Sequence, residues 1–255
     1  MSARSPASRR PWLGLLFVIV LVIYAKGKVA TSFDSGYSIH LAVSLLEEGN
    51  LDLEEYRDVI PPGDYRTLEV DGVLHSRYPV GPSVVAAPLV AAVESVGKYL
   101  FRIWDFDAFI RSEPPASVER FIGSFFTALA AVVMFYIARL RVGDGGSAAM
   151  LLIFAFCTSA WSVSSRALWQ HGPSMLFLAA TLYVLMRARE KEPGVAQVAG
   201  LFLALAFAMR PTNALAVALL TLYVAKAHTW KPTKGTATTP AQAKNRHSCP
   251  VCALA

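Results

Sequence analysis

The chain has 255 residues, 55% of them hydrophobic, with a mean hydropathy of +0.44 and a formal net charge of +6. That apolar content is more than an ordinary soluble domain of this length needs, so the values exclude such a domain and imply a polytopic membrane protein. The positive balance is not the footprint of a nucleic-acid partner, because the basic residues stand at the ends of apolar runs rather than along one face.

In chain order, Arg4, Arg9 and Arg10 precede an apolar run from Trp12 to Ala25. Lys28 stands where signal cleavage wants a small residue, so the run is read as an uncleaved anchor with a cytoplasmic amino-terminal segment (1–11). The stretch from Thr31 to Leu53 then emerges on the far side, carrying Asp34 where the membrane surface meets water. From Tyr37 to Leu46 the apolar residues recur at spacings of three and four, which predicts a short helix in the interface. Asp34 itself has two readings. It is either the N-cap of that helix or a general base at the membrane surface, suited to taking a proton from a hydroxyl.

The region up to about Ser117 is rich in acid, as expected of an exported loop (29–117). Within it, Thr67 to Ser76 alternates apolar and polar residues about Asp71-Gly72, a two-residue hairpin signal. Tyr78 to Leu100 is apolar enough to span but carries Pro79, Pro82, Pro88 and Glu94. The positive-inside bias arbitrates. If this stretch spans, Arg139, Arg141, Arg187, Arg189 and Lys191 all lie outside; if it only dips into the outer leaflet, all lie inside with the amino-terminal arginines. The second arrangement is expected.

It places further spans near Val118 to Ala138, Ser147 to Ser164, Pro173 to Met186, Val195 to Met209 and Thr212 to Ala225. The fold class is therefore all-α: a membrane bundle of about six transmembrane helices, with a large first outer loop containing interfacial helices and a small hairpin. From Trp230 onward the composition predicts a disordered tail (229–255) after a transmembrane module over 12–228. His247, Cys249 and Cys252 in that tail form a single CxxC with a neighbouring histidine, short of a zinc ligand set. Cys157, inside an apolar run, reads as a packing residue.

Two short outer connections share a compartment with Asp34. In Ser165 to Gly172, Trp169 is an aromatic-belt residue, while Arg166, Gln170 and His171 are candidates to bind substrate; His171 is also able to coordinate a divalent cation or donate to a phosphate. Arg210, before Pro211, puts a fixed cation at the outer end of a helix pair, where a phosphate is its natural partner. Asp105-Phe-Asp107 superficially matches the acidic pair of nucleotide-sugar enzymes, without the strand and helix alternation that would support it.

Taken in order, Asp34, LLEEGNLDL, the hairpin leading into SRYPVGPSVVAAP, then SRALWQHGP and LALAFAMRPTNAL resemble the amino-terminal module of C-type (GT-C) integral-membrane glycosyltransferases. The branch that it resembles includes the bacterial protein O-mannosyltransferases and the lipid A aminoarabinose transferase. The resemblance runs from about Trp12 to Ala225. It implies a bacterial inner-membrane enzyme that moves a sugar from a polyprenyl-phosphate carrier to a lipid, glycan or protein acceptor on the outer face. It further implies that Asp34 is the catalytic aspartate, that Arg210 faces the carrier phosphate, and that Tyr78 and the helix after it line the lipid groove. His171 stands where relatives commonly carry a second acid, and relatives are longer. Two other readings are a truncated, non-catalytic membrane protein and a lipid or solute transporter, although the spans carry few of the charges that a transport pathway uses.

Overall fold

A computed structural model describes residues 11–27, 34–101, 105–112, 115–190 and 196–229. The amino-terminal arginines, Lys28, Lys191 and the HSCPVC tail lie outside the described residues. Nine α-helices and one hairpin are present among them: α1 (Pro11–Ala25), α2 (Ser38–Glu47), β1 (Thr67–Val70), β2 (Val73–Ser76), α3 (Gly81–Phe101), α4 (Phe106–Ser112), α5 (Ala116–Arg139), α6 (Asp144–Phe156), α7 (His171–Glu190), α8 (Ala196–Met209) and α9 (Ala214–Thr229). Residues through Ala218 form one compact unit, to which the following description applies. The described part of the second unit is the end of α9, which carries Leu219 and Leu222 on its surface.

The expected interfacial helix exists as α2, but it is not half-immersed. Ile39, His40, Leu41, Ala42, Val43 and Ser44 are all buried, because α3 and α4 cover it. Asp34 is not its N-cap: that place falls to Tyr37, which makes no side-chain cap. The hairpin forms with the register Thr67 to Ser76 and Val70 to Val73. Asp71 and Gly72 both have positive φ (54° and 84°), as a two-residue primed turn requires and as Asp-Gly tolerates.

Helix α5 is the axis of the bundle. Its 24 residues reach about 36 Å at 1.5 Å per residue, enough for a hydrocarbon core of about 30 Å. One flank packs on α1 and α6 through Tyr24, Phe135, Leu151 and Ala155, and the other on α2, α3 and α4 through Val118, Ile122 and Phe126. The ends alternate as in an up-and-down bundle. Trp12 at the start of α1 meets Phe135 near the end of α5, whereas Tyr24 at the end of α1 donates to the Ala155 carbonyl near the end of α6 (2.7 Å). Arg139 pairs with Asp144 across the α5–α6 turn, and Arg187 reaches Tyr183, whose ring meets Tyr136, so these arginines gather at the end of the bundle opposite Tyr24.

Two helices, α3 and α5, are individually long and apolar enough to cross a membrane; α1, α6 and α8 are apolar but shorter. A bundle of six complete spans is therefore more than the helices establish. The stretch Ser147 to Ser164, expected as one span, is divided: α6 ends at Phe156 and a separate π-type turn covers Ala160–Ser164. Cys157, at the break, is exposed rather than packed. The Asp105 and Asp107 pair has a local structural role, since Asp105 accepts the Ala108 N–H and Asp107 pairs with Arg111 (3.0 Å) on α4. The outer flanks of the bundle are apolar, with Leu15, Val18, Ile153 and Leu201 all exposed. A surface of this kind fits lipid rather than water.

Helix α3 keeps company with α2. Its start is pressed on α8, where a Cβ at Gly81 would collide with the Ala208 carbonyl. After it, α4 returns the chain to α2, where His40 Nε2 donates to the Ile110 carbonyl (2.9 Å). Burial holds the His40 ring down to about 4 from its ordinary 6.5. The folded state thus stays neutral while the unfolded chain takes up a proton, so the stabilisation is complete above 6.5 and is lost as pH falls from 6.5 toward 4. Thermal unfolding in detergent is expected to show Tm falling across that window, with His40→Gln flattening this part of the profile; equal slopes in both proteins would contradict the assignment.

Candidate functional site

Asp34 sits in the turn between the end of α1 and α2, half-buried. Two phenols face its carboxylate. Tyr65, from the loop before β1, donates to Oδ1 at 3.3 Å, and the Tyr78 hydroxyl bonds the same side chain from just before α3. Tyr65 is delivered by its neighbours. Asp64 accepts from Tyr37 (2.7 Å) and pairs with Arg66 (2.5 Å), whose guanidinium also lies 4.4 Å above the Tyr37 ring and 5.8 Å from that of Tyr65. The Arg66 guanidinium holds the Asp64 carboxyl well below the usual carboxylate range, while burial and then the bond to Asp64 push the Tyr37 phenol up to about 12. The pairing is thus locked at any ordinary pH.

At the end of α8, Arg210 leaves the helix with extended backbone (φ −148°, ψ 107°) because Pro211 disfavours a helical residue before it. Its guanidinium turns to His171 Nδ1 at 2.9 Å. Guanidinium has no acceptor, so Nδ1 must accept; the imidazole then carries its proton on Nε2 and presents a donor outward. Trp169 packs edge-on against the His171 ring, with centroids 4.4 Å apart, and Asn213 ties the same corner by donating to Ser174 Oγ (2.8 Å) and the Ala206 carbonyl (2.7 Å). The surroundings of His171 hold no cluster of metal ligands among the described residues. The Nδ1 of His171 is occupied, and its charged neighbour is a cation.

Three elements join these groups at one end of the bundle. Tyr78 reaches Asp34, and three residues later Gly81 is pressed on Ala208, two residues before Arg210. The polar trio of the 165–172 loop is divided, however. His171 joins Arg210, with the half-buried Gln170 opening α7 by accepting the Ser174 N–H on its carbonyl. Arg166 turns the other way, donating to the Trp161 carbonyl (3.0 Å) and covering Gly27 at the end of α1, where Arg120 also donates to the Gly27 carbonyl.

The sequence reading missed the residues of α5 that hold this loop. Glu119, 7% exposed, accepts the Leu168 N–H at 3.0 Å. One turn on, Ser124 donates to the Ser165 carbonyl (3.0 Å), and a Cβ at Gly123 would collide with the Ala167 carbonyl. Glu119 sits at the start of an apolar run, where an acid reads as a complement to the helix dipole; the signal that marks it is an ionisable group in an otherwise apolar helix. Gly123→Ala is expected to cost about 1–3 kcal/mol of stability by forcing the loop from the helix. Gly143→Ala, where a Cβ meets open space, serves as the control in detergent thermal unfolding, and equal effects at the two sites would refute the close approach.

With this geometry in view, a family model for dolichyl-phosphate-mannose-protein mannosyltransferases matches residues 113–238, just under half of the chain. The match takes in α5 to α9, the loop with Arg166, Gln170 and His171, and Arg210; Asp34 and Tyr78 precede it. It supports the resemblance to GT-C-type enzymes and points to a mannosyltransferase-like membrane glycosyltransferase. No curated protein and no solved structure matches the chain.

Proposed function

We propose that this chain is a membrane glycosyltransferase that moves a sugar from a polyprenyl-phosphate carrier to an acceptor hydroxyl at the outer face of a bacterial inner membrane. The observation that carries the reading is the presence, at one end of the bundle, of a tyrosine-flanked carboxylate and a histidine-paired guanidinium, linked through the start of α3. One basic and one cationic function suffice for a single displacement, whereas a retaining glycosidase needs two carboxyl groups.

In this mechanism the acceptor oxygen attacks the anomeric carbon from the face opposite the phosphate. A new carbon–oxygen bond forms as the bond to the phosphate oxygen breaks, and the phosphate leaves with the electron pair. Asp34 takes the acceptor proton, and the configuration inverts. Arg210 meets the charge that develops on the phosphate, and His171 donates to it from Nε2. The phenols of Tyr65 and Tyr78, which bond Asp34, give way to the acceptor hydroxyl. Arg166, turned toward Trp161, is placed on the α1 side of the loop and takes no part in the phosphate contact. The apolar surface of α3, with Val84 and Val96 exposed, is suited to lie along the carrier chain in the outer leaflet.

Asp34→Asn keeps the shape and removes the base. Transfer from undecaprenyl-phosphate mannose, labelled in the sugar, to solubilised membrane acceptors is expected to fall by about 100-fold or more, with membrane insertion and Tm unchanged. Undiminished transfer by a folded Asp34→Asn protein would rule Asp34 out as the base, and absence of transfer by the unsubstituted protein would sink the proposal.

A further inference from the structure

A buried carboxylate that no step above uses lies between the two halves of the site. Glu119 Oε1 accepts the Leu168 N–H (3.0 Å), three residues before His171. The same carboxylate faces the hydroxyl of Ser35, the residue after Asp34; Ser35 is 4% exposed, and its buried hydroxyl makes no hydrogen bond of ordinary length. Arg120, its neighbour in sequence, directs its guanidinium to the Gly27 carbonyl instead. Glu119 is 7% exposed and makes no ion pair among the described residues.

An unpaired acid is an expensive way to tie down one backbone N–H, and a serine or glutamine would do that at less cost. What a carboxylate offers is two acceptor oxygens a fixed distance apart. Here one is spent on the loop that leads to His171, and the same carboxylate lies beside Ser35 of the Asp34 turn. On α5, Ser124 and Gly123 hold the same loop one turn further along.

Resting on the transferase reading above, we infer that Glu119 is a positioning residue that sets the spacing between the Asp34 turn and the 165–171 loop. It is enclosed by protein and touches no substrate. Its effect on turnover runs through Asp34 on one side and the His171–Arg210 pair on the other. Displacements of about 1 Å at such groups are worth about 100-fold in rate.

The test uses the full chain in nanodiscs, with spin labels at Ser38→Cys and Gln170→Cys in a background where the native cysteines are serine. The distance distribution between the labels is expected to be narrow, to broaden or shift in Glu119→Ala, and to be restored in Glu119→Gln, which keeps an acceptor oxygen. Ser35→Ala, the milder change, should give a smaller shift in the same sense. In the unlabelled chain, turnover of undecaprenyl-phosphate mannose is counted per donor-binding site, so that a loss of folded protein cancels. Glu119→Ala should lower it by about 100-fold, and Glu119→Gln should restore most of it. An unchanged distance distribution in Glu119→Ala would overturn the inference, as would a changed distribution with unchanged turnover per site in a protein that Asp34→Asn inactivates. If the unsubstituted chain shows no turnover of undecaprenyl-phosphate mannose, the transferase reading fails instead, while the distance measurement still decides whether Glu119 holds the two segments in register.

Discussion

The first three turns of α5 are the part of the molecule on which the site depends. Glu119 offers a carboxylate, Gly123 offers the absence of a side chain and Ser124 offers a hydroxyl, and all three take hold of the Ser165–Leu168 loop. Thr127, which donates to the Gly123 carbonyl, brings its side chain close to Gly172 where α7 begins. A helix able to cross the hydrocarbon core thus ends in a polar foot that grips the neighbouring chain by its backbone. Such a grip is worth most where water is excluded, since a buried backbone group left unpaired costs about 1–3 kcal/mol.

From this foot the remaining contacts spread outward. The Asp34 turn packs on one side of it, and α7 carries His171 on the other. The hairpin loop adds Tyr65, held by the Asp64–Arg66–Tyr37 arrangement, and α3 adds Tyr78 while its Gly81 presses on the end of α8. Long sequence separations are closed in this way without any disulfide among the described residues. The chemistry is divided by charge, with an acceptor-only carboxylate at one point and a donor-only guanidinium at another. A phosphate that leaves with negative charge while a hydroxyl gives up a proton needs that division.

Much of this was legible in the sequence, and what was not has physical reasons. The hairpin followed from Asp71-Gly72, since few residue pairs accept positive φ at both positions. Helix α5 followed from a long run that is apolar beyond Arg120, and Arg210 stood out because Pro211 ends the helix just there. A phosphate is the expected partner of Arg210, and its guanidinium also pairs with His171, a contact that the sequence does not signal. Arg166 and His171, five residues apart, looked like one cluster; the loop turns between them, so their side chains diverge toward α1 and α8. The division of Ser147 to Ser164 at Cys157 was hidden because hydropathy does not register a break made of small residues. Glu119 was hidden for the opposite reason: the run around it is so apolar that a single acid at its start reads as an end effect.

The account requires that the hairpin loop and the start of α7 share one face of the membrane, with the α5–α6 turn on the other. The most direct measurement is labelling by a membrane-impermeant maleimide of single cysteines at Tyr65, Gln170 and Val142, in a chain whose native cysteines are replaced by serine, in intact cells and in inverted vesicles. The account predicts that Tyr65→Cys and Gln170→Cys react only in intact cells and Val142→Cys only in inverted vesicles. Reaction of Tyr65→Cys and Gln170→Cys from opposite faces would contradict it.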